Sequence, residues 1–179
     1  MTRNWLAFCS NCAEPIDAAA PVQCAACAQW HYANPRPCAG ALVERDGKVL
    51  LLKRAFEPWF GHWDIPGGFV EDGEHPAVGA RREVLEETGL DVELVGLLGM
   101  WMDTYGDDAR ALTTLNVYYL ATAAPDAVLT IDAAEADDHG WFGPEDPIEP
   151  LGFPTHFPGV LQRWRDVCEG IVELGPVDG

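Results

Sequence analysis

Two runs, 39–44 and 49–54, are rich in Leu, Val and Ala and flank Asp46-Gly47. That dipeptide favours the tight turn of an antiparallel hairpin, so the pair reads as two strands. The stretch 92–101 reads as a further strand despite Gly96 and Gly99, and 112–121, dense in β-branched and aromatic side chains, as a central one. Between them the period changes. From Pro76 to Gly89, Ala77, Ala80, Val84 and Leu85 fall on one helical face. Pro76 suits a first turn, where its missing N–H would be unpaired anyway, and Gly89 suits a left-handed helix end. Val160, Leu161, Trp164, Val167 and Cys168 mark a last amphipathic helix, starting near Thr155 and ending at Gly170. The segment 105–110 reads as a turn or flexible loop, and 125–139 as an acidic, alanine-rich connection. Gly140-Trp141-Phe142 then opens a short strand or turn. Strands, helix, strands, helix in this order predict an α/β sandwich with a mixed sheet between helices.

The chain has 179 residues, enough for one full domain and a small appendage, and a 48% apolar content supports a packed core. Its net charge of −18 argues against duplex nucleic acid or an anionic membrane as partner, since both need basic surface. An anionic substrate is repelled as well, unless a metal neutralises its site. No apolar run near the N-terminus is long enough for a signal peptide or a membrane span, so a cytoplasmic protein is expected.

Four of the six cysteines are patterned: Cys9-x2-Cys12, eleven residues, then Cys24-x2-Cys27. This is the spacing of a tetrahedral four-thiolate zinc site, and a pair of disulfides is the competing reading. Zinc is the stronger one in a chain without an export signal. A ribbon of this size cannot build an adequate core, so metal binding would supply its folding free energy. Four thiolates leave no open position, and the role is structural. The expected division is a zinc ribbon over 1–35, a catalytic domain over 36–172 and a frayed tail over 173–179. Trp5 and Phe8 are expected to pack beside the metal, His31 to sit at the junction, and Cys38 and Cys168 to be buried small apolar residues.

The chemistry concentrates between Gly67 and Leu90, a glycine-rich loop followed by the first helix. Glu83, Glu86 and Glu87 stand at i, i+3 and i+4 and project together. Like charges so spaced repel by ~0.2–0.5 kcal/mol per pair on an isolated helix. A solvated acidic face is one reading. The other is a site for Mg²⁺ or Mn²⁺, hard cations that take carboxylate oxygens and bridge to substrate phosphates.

The full pattern decides between them. Gly68, five residues, Glu74, seven residues, Arg82-Glu83-Val84, one residue, Glu86-Glu87, one residue and Gly89-Leu90 resembles the Nudix box at every defined position. Trp63-Asp64-Ile65-Pro66 leads into it as a Trp-x-Leu-Pro-Gly-Gly sequence does in many members. The aromatic Asn34-Pro35-Arg36-Pro37 connector resembles the junction of ribbon-bearing Nudix enzymes. The resemblance implies a Nudix α/β/α fold and divalent-metal-dependent hydrolysis of a nucleoside diphosphate linked to another group. It implies Glu83, Glu86 and Glu87 as ligands of Mg²⁺ or Mn²⁺, joined by the Gly67 carbonyl. Arg82 would orient these carboxylates, and Glu74 would either support a ligand or favour the helix dipole.

A catalytic base in this family is sometimes a box glutamate and sometimes an acid before a late strand. Glu135 is favoured here over Asp137 and Asp138, with solvated loop acids as the plainer alternative, and His139 reads as exposed. Trp59, Phe60, Trp101 and Tyr105 can stack a substrate ring, worth ~1–3 kcal/mol per base, although core packing is an equal reading of each. The flanking sequence resembles pyrophosphatases acting on ADP-ribose and, among ribbon-bearing relatives, FAD. The Ser-Gln-Pro-Trp-Pro-Phe-Pro signature of NADH pyrophosphatases is absent, which lowers NADH. NDP-sugars stay open. A non-hydrolytic nucleotide sensor is the alternative of another class, disfavoured by an intact box. A nucleic-acid-binding ribbon is disfavoured by the acidity. The resemblance also admits a homodimer.

Overall fold

The computed structural model describes residues 6–16, 18–106 and 111–178. Trp5 and part of the expected 105–110 loop lie outside them. The N-terminal segment carries two short antiparallel strands, β1 (Val22–Gln23) and β2 (Trp30–His31). Two like turns precede and join them. In each, the residue after the second cysteine (Ala13, Ala28) has positive φ and donates its N–H to the carbonyl of the first (Cys9, Cys24) at 2.9 Å. Phe8 does not pack over the cysteines as expected. It is 59% exposed, held instead in a bridge to Pro15.

The main sheet is mixed. β3 (Arg36–Arg45) and β4 (Lys48–Arg54) form the expected hairpin, with Asp46 and Gly47 both left-handed at the turn. β5 (Trp63–Asp64) extends β4, and β6 (Gly67–Phe69) pairs with the first half of β3. After α1 (Pro76–Thr88) come β7 (Val92–Tyr105) and β8 (Leu112–Ala123). The order is β5-β4-β3-β8-β7, with β3 and β8 parallel and β7 and β8 antiparallel. β9 (Ala136–Phe142) runs along β4, so the strand expected near Gly140 begins four residues earlier and takes in the end of the acidic connection.

Alternation along β3 and β4 feeds two cores. Ala39, Ala41, Val43, Leu50 and Leu52 meet Ala77, Ala80 and Val84 of α1. Leu42, Val49 and Leu51 meet Phe157, Val160, Leu161 and Trp164 of α2 (Phe157–Cys168) on the other face. The period-2 pleat thus sorts one continuous apolar run into both layers.

Several local expectations are corrected. Leu85 is 48% exposed, because at 100° per residue it turns past the sheet-facing line through Ala77, Ala80 and Val84. Thr88 takes the inner position, its hydroxyl donating to the Val84 carbonyl at 2.5 Å. Cys168 is exposed at the end of α2 and Cys38 is half-buried. The tail is paired rather than frayed: Gly175 and Leu97 exchange two hydrogen bonds of 2.9 Å, and Leu174 and Val177 pack on the cores. The cause lies in β7, where bulges at Gly96 and Gly99 free backbone groups. A Cβ on Gly96 would come within 2.6 Å of the Leu174 Cβ, so glycine there admits the tail. Among the described residues no helix is long and apolar enough to cross a membrane.

Trp164 anchors α2, fully buried and donating its indole N–H to Glu44 at 3.2 Å. Trp164→Ala should cost about 3–5 kcal/mol of stability, read from urea denaturation with the slope unchanged.

Candidate active site

The site is assembled on the C-terminal half of α1 and the loop before the helix. His75 caps the helix, its Nδ1 accepting the Ala77 N–H at 3.2 Å. One guanidinium then organises the acids. Arg82 Nε and Nη2 donate to the two oxygens of Glu74 at 2.9 and 3.0 Å, a bidentate pair. Nη1 donates to Glu83 at 2.7 Å and to Glu86 at 3.1 Å, and Nη2 also reaches the Phe69 carbonyl at 3.1 Å. Glu74 therefore braces Arg82, which holds the Glu74 carboxyl below its usual range. It also accepts the Glu71 N–H at 2.9 Å.

Glu83 presses on the glycine loop. A Cβ at Gly68 would stand 2.7 Å from its carboxylate, so no larger residue fits without moving the acid. Glu87 lies deeper and accepts the Gly67 N–H at 3.3 Å. Burial pushes its carboxyl well above the ordinary range, and Asp64, Glu83 and Glu135 add like charge. Burial raises Glu83 too, against the pull of Arg82. Glu86 is more open, with 59% of its side chain exposed. Glu87, Glu135, Asp64, Arg54 and Gly67 line one hollow with about 310 Å³ of atom-free space, its open mouth included. Glu135 thus comes to the box glutamates from the loop before β9, while Asp137 and Asp138 line neither this hollow nor the larger cavity beside it. Carboxylates are the hard donors that Mg²⁺ or Mn²⁺ takes, although among the described residues only the cysteine sulfurs already lie within 4.8 Å of one another as a set.

Asp64 and Arg54 were not singled out from the sequence. They form an ion pair of 2.8 Å with side chains only 11% and 13% exposed. Arg54 also donates to the Pro58 carbonyl at 2.8 Å and lies between the rings of Phe56 and Phe153. The pair separates the acidic hollow from a cavity of about 470 Å³ of atom-free space, its open mouth included. Phe69, Tyr105, Tyr118, Phe153 and His156 bring rings to that cavity, and Cys38, Thr114 and Asn116 line it with them. Burial pushes the Cys38 thiol up to about 12.

Of the four aromatics expected to stack a ring, Tyr105 lines this cavity. Trp59 stands behind Phe153, ring centroids 6.3 Å apart, on a neighbouring hollow. Phe60 is 56% exposed and lines neither cavity. Trp101 packs beneath α2, against Tyr118 and beside Gly159, because its position on β7 faces that layer. Phe69, Phe153, Asn116 and His156 were missed. They come from three separate places, β6, β8 and the turn before α2, and no spacing in the sequence joins the three.

In the ribbon, Cys9, Cys12, Cys24 and Cys27 place their sulfurs within 4.8 Å of one another, with Cys9–Cys27 and Cys12–Cys24 at 3.6 Å. Tetrahedral Zn–S bonds of ~2.3 Å imply sulfur separations of roughly 3.8 Å, so the donors fit zinc. Hydrogen bonds from the Asn11 side chain and the Gln29 backbone lower the Cys27 thiol to about 6, while Cys12, against a lowering bond to the Glu14 backbone, is pushed up to about 12 by the neighbouring thiols and burial. His31 is buried at the junction with its Nε2 3.3 Å from the Cys9 sulfur, closer to the cluster than expected.

Residues 34–164 match the NUDIX domain. The chain belongs to the NUDIX family. A NUDIX hydrolase from Nitrosomonas europaea has a similar structure, with a TM-score of 0.73 and 27% identity, over 96% of this chain and 95% of that one. An ADP-ribose pyrophosphatase of Methanocaldococcus jannaschii is 34% identical over 106 residues, 59% of this chain and 62% of the relative. An NAD-capped RNA hydrolase, NudC, of Vibrio atlanticus is 31% identical over 121 residues, 68% of this chain and 42% of the relative. The match thus spans less than two thirds of either curated NUDIX relative.

Because folding raises the Glu87 carboxyl above 4.5, the folded protein binds a proton there that the unfolded chain has already released. Stability of the metal-free protein therefore falls as pH rises from 4.5 through the folded value. Glu87→Gln should be more stable than wild type near neutral pH in chelator and lose that advantage below 4.5, by urea denaturation at each pH.

Proposed function

We propose that this NUDIX protein is a divalent-metal-dependent hydrolase of a nucleoside diphosphate linked to another group, ADP-ribose first and FAD second, releasing AMP. The observation that carries the reading is the nest of Glu83, Glu86 and Glu87, aligned by Arg82 against Gly67 and Gly68 and facing Glu135. Glu83, Glu86, Glu87 and the Gly67 carbonyl would hold the Mg²⁺ or Mn²⁺. When bound, such ions neutralise the diphosphate, stabilise charge developing on its oxygens and acidify the attacking water.

The protein's own part is placement. Arg82 fixes Glu83 and Glu86 from one side, and Gly67 fixes Glu87 from the other. Glu135 takes the proton of the attacking water. The water oxygen forms the new bond to phosphorus, the phosphoanhydride P–O bond breaks, and the bridging oxygen leaves with the second phosphoryl group. The adjoining aromatic cavity suits the substrate's ring, with Tyr105 among its walls. Likeness to an ADP-ribose pyrophosphatase supports the first choice of substrate. Likeness to an NAD-capped RNA hydrolase, NudC, supports keeping NADH, with NDP-sugars, as the alternative to these two. The ribbon, taken as residues 1–35 ahead of a catalytic domain over 36–172, would hold one structural zinc on Cys9, Cys12, Cys24 and Cys27.

The test is a panel of ADP-ribose, FAD, NADH, diadenosine polyphosphates and NDP-sugars with Mg²⁺ and then Mn²⁺. AMP should be released from the preferred compound, and the activity should vanish in chelator and in Glu86→Gln or Glu87→Gln. Glu135→Gln should lower kcat by roughly 10²–10⁴-fold with KM nearly unchanged. Activity that persists in chelator would refute the proposal. For the ribbon, elemental analysis should find one zinc per chain in wild type and none in Cys24→Ser.

A further inference from the structure

The cavity beyond the Arg54–Asp64 pair has a polar side whose hydrogen-bonding sense is fixed by a buried chain of side chains. Asp103 Oδ1 accepts the Thr104 N–H at 2.6 Å, leaving Oδ2 to face His156 Nδ1 at 2.5 Å. A carboxylate only accepts, so Nδ1 carries the proton. With His156 neutral, its lone pair is on Nε2, which lies 2.9 Å from the Tyr118 hydroxyl. The phenol must donate to it, and what remains for the cavity is the Tyr118 oxygen as an acceptor. His156 and Asp103 are nearly inaccessible, their side chains 3% and 7% exposed, so no water reorients the chain freely.

Asn116, two residues away on the same face of β8, has the same polarity. Its amide nitrogen donates to the Trp101 carbonyl at 3.3 Å and to Thr114 Oγ1 at 3.0 Å. A carbonyl cannot donate, so that orientation is fixed. Among the described residues nothing donates to its Oδ1. Tyr118 and Asn116 therefore both offer acceptors to a cavity whose rings, Phe69, Tyr105 and Phe153, suit a flat ligand.

We infer that this cavity selects a planar ring by an amino group, with Tyr118 and Asn116 as the reading residues and Asp103 and His156 as positioning residues that set the polarity of Tyr118. A ring edge carrying a carbonyl would face acceptors with an acceptor and leave buried polar groups unpaired. The amino group can be that of adenine or of guanine, since both offer an N–H₂ donor. The inference rests on the nucleotide hydrolase reading and deepens it, by naming the feature of the substrate ring that is recognised.

Two matched comparisons test it. Adenine- and hypoxanthine-diphosphoribose differ in an amino against a carbonyl group. Guanine- and hypoxanthine-diphosphosugars differ by the 2-amino group alone. Wild type should favour the amino-bearing ring in one arm by roughly tenfold or more in kcat/KM, mostly through KM, and that arm identifies the ring. Tyr118→Phe preserves shape and should bring the ratio towards one. Asp103→Asn makes a sharper demand. The Thr104 N–H keeps the amide oxygen in place, so the amide nitrogen now donates to His156 Nδ1. The imidazole proton moves to Nε2, and the Tyr118 hydroxyl turns its hydrogen to the cavity. The preference should then fall below one, which general loss of packing would not produce.

Matched urea midpoints for Tyr118→Phe and wild type separate recognition from folding. Ratios near one in wild type, or unchanged in both variants, would overturn the inference while leaving the hydrolase reading intact. No turnover of any of these compounds with Mg²⁺ or Mn²⁺ would overturn that reading and the inference with it.

Discussion

The structure turns on one guanidinium. Arg82 joins Glu74, Glu83 and Glu86 at 2.7–3.1 Å and ties them to the loop through the Phe69 carbonyl. Without it, like charges on successive turns of α1 would spread into solvent. With it, the carboxylates are held in place, Glu83 against backbone at Gly68 that only glycine allows so close. The cost falls on Glu83 and Glu87, both raised by burial, with Glu87 further opposed by Asp64, Glu83 and Glu135. The fold maintains a local electrostatic debt that a bound cation would cancel, and this is why the helix reads as a site and not as a solvated face.

The rest of the fold serves that placement. α1 is anchored to one face of the mixed sheet by small residues, Ala77 and Ala80, which let the helix lie close. The second layer, centred on Phe157 and Trp164, brings His156 and Phe153 to the far side of the glycine loop. Arg54 and Asp64 mark the border between the acidic hollow and the aromatic cavity. One region gathers carboxylates and the other aromatic rings, and β6 with its preceding loop touches both.

Local features were legible in the sequence. The hairpin at Asp46-Gly47, the helix from Pro76 to Gly89 and the cysteine spacing each depend on a few neighbouring residues, and the structure forms all of them. Features built across elements were not. Nothing near Asp103 announces His156, fifty-three positions later, and nothing around Gly96 announces that the tail will dock there. Trp101 and Phe60 show the limit from the other side. Composition alone made them ring-binding candidates; the pleat packs Trp101, partly buried, beneath α2, and the loop leaves Phe60 exposed. Leu85 illustrates the same lesson within a helix, where one residue of phase separates core from surface.

The most direct measurement is an anomalous difference map from a crystal soaked with Mn²⁺ and a non-hydrolysable ADP-ribose analogue. The account predicts ion peaks among Glu83, Glu86 and Glu87, with the diphosphate bridging them and the base seated among Phe69, Tyr105 and Phe153. Glutamates still spent on Arg82 alone, with no ion beside them at saturating Mn²⁺, would contradict it.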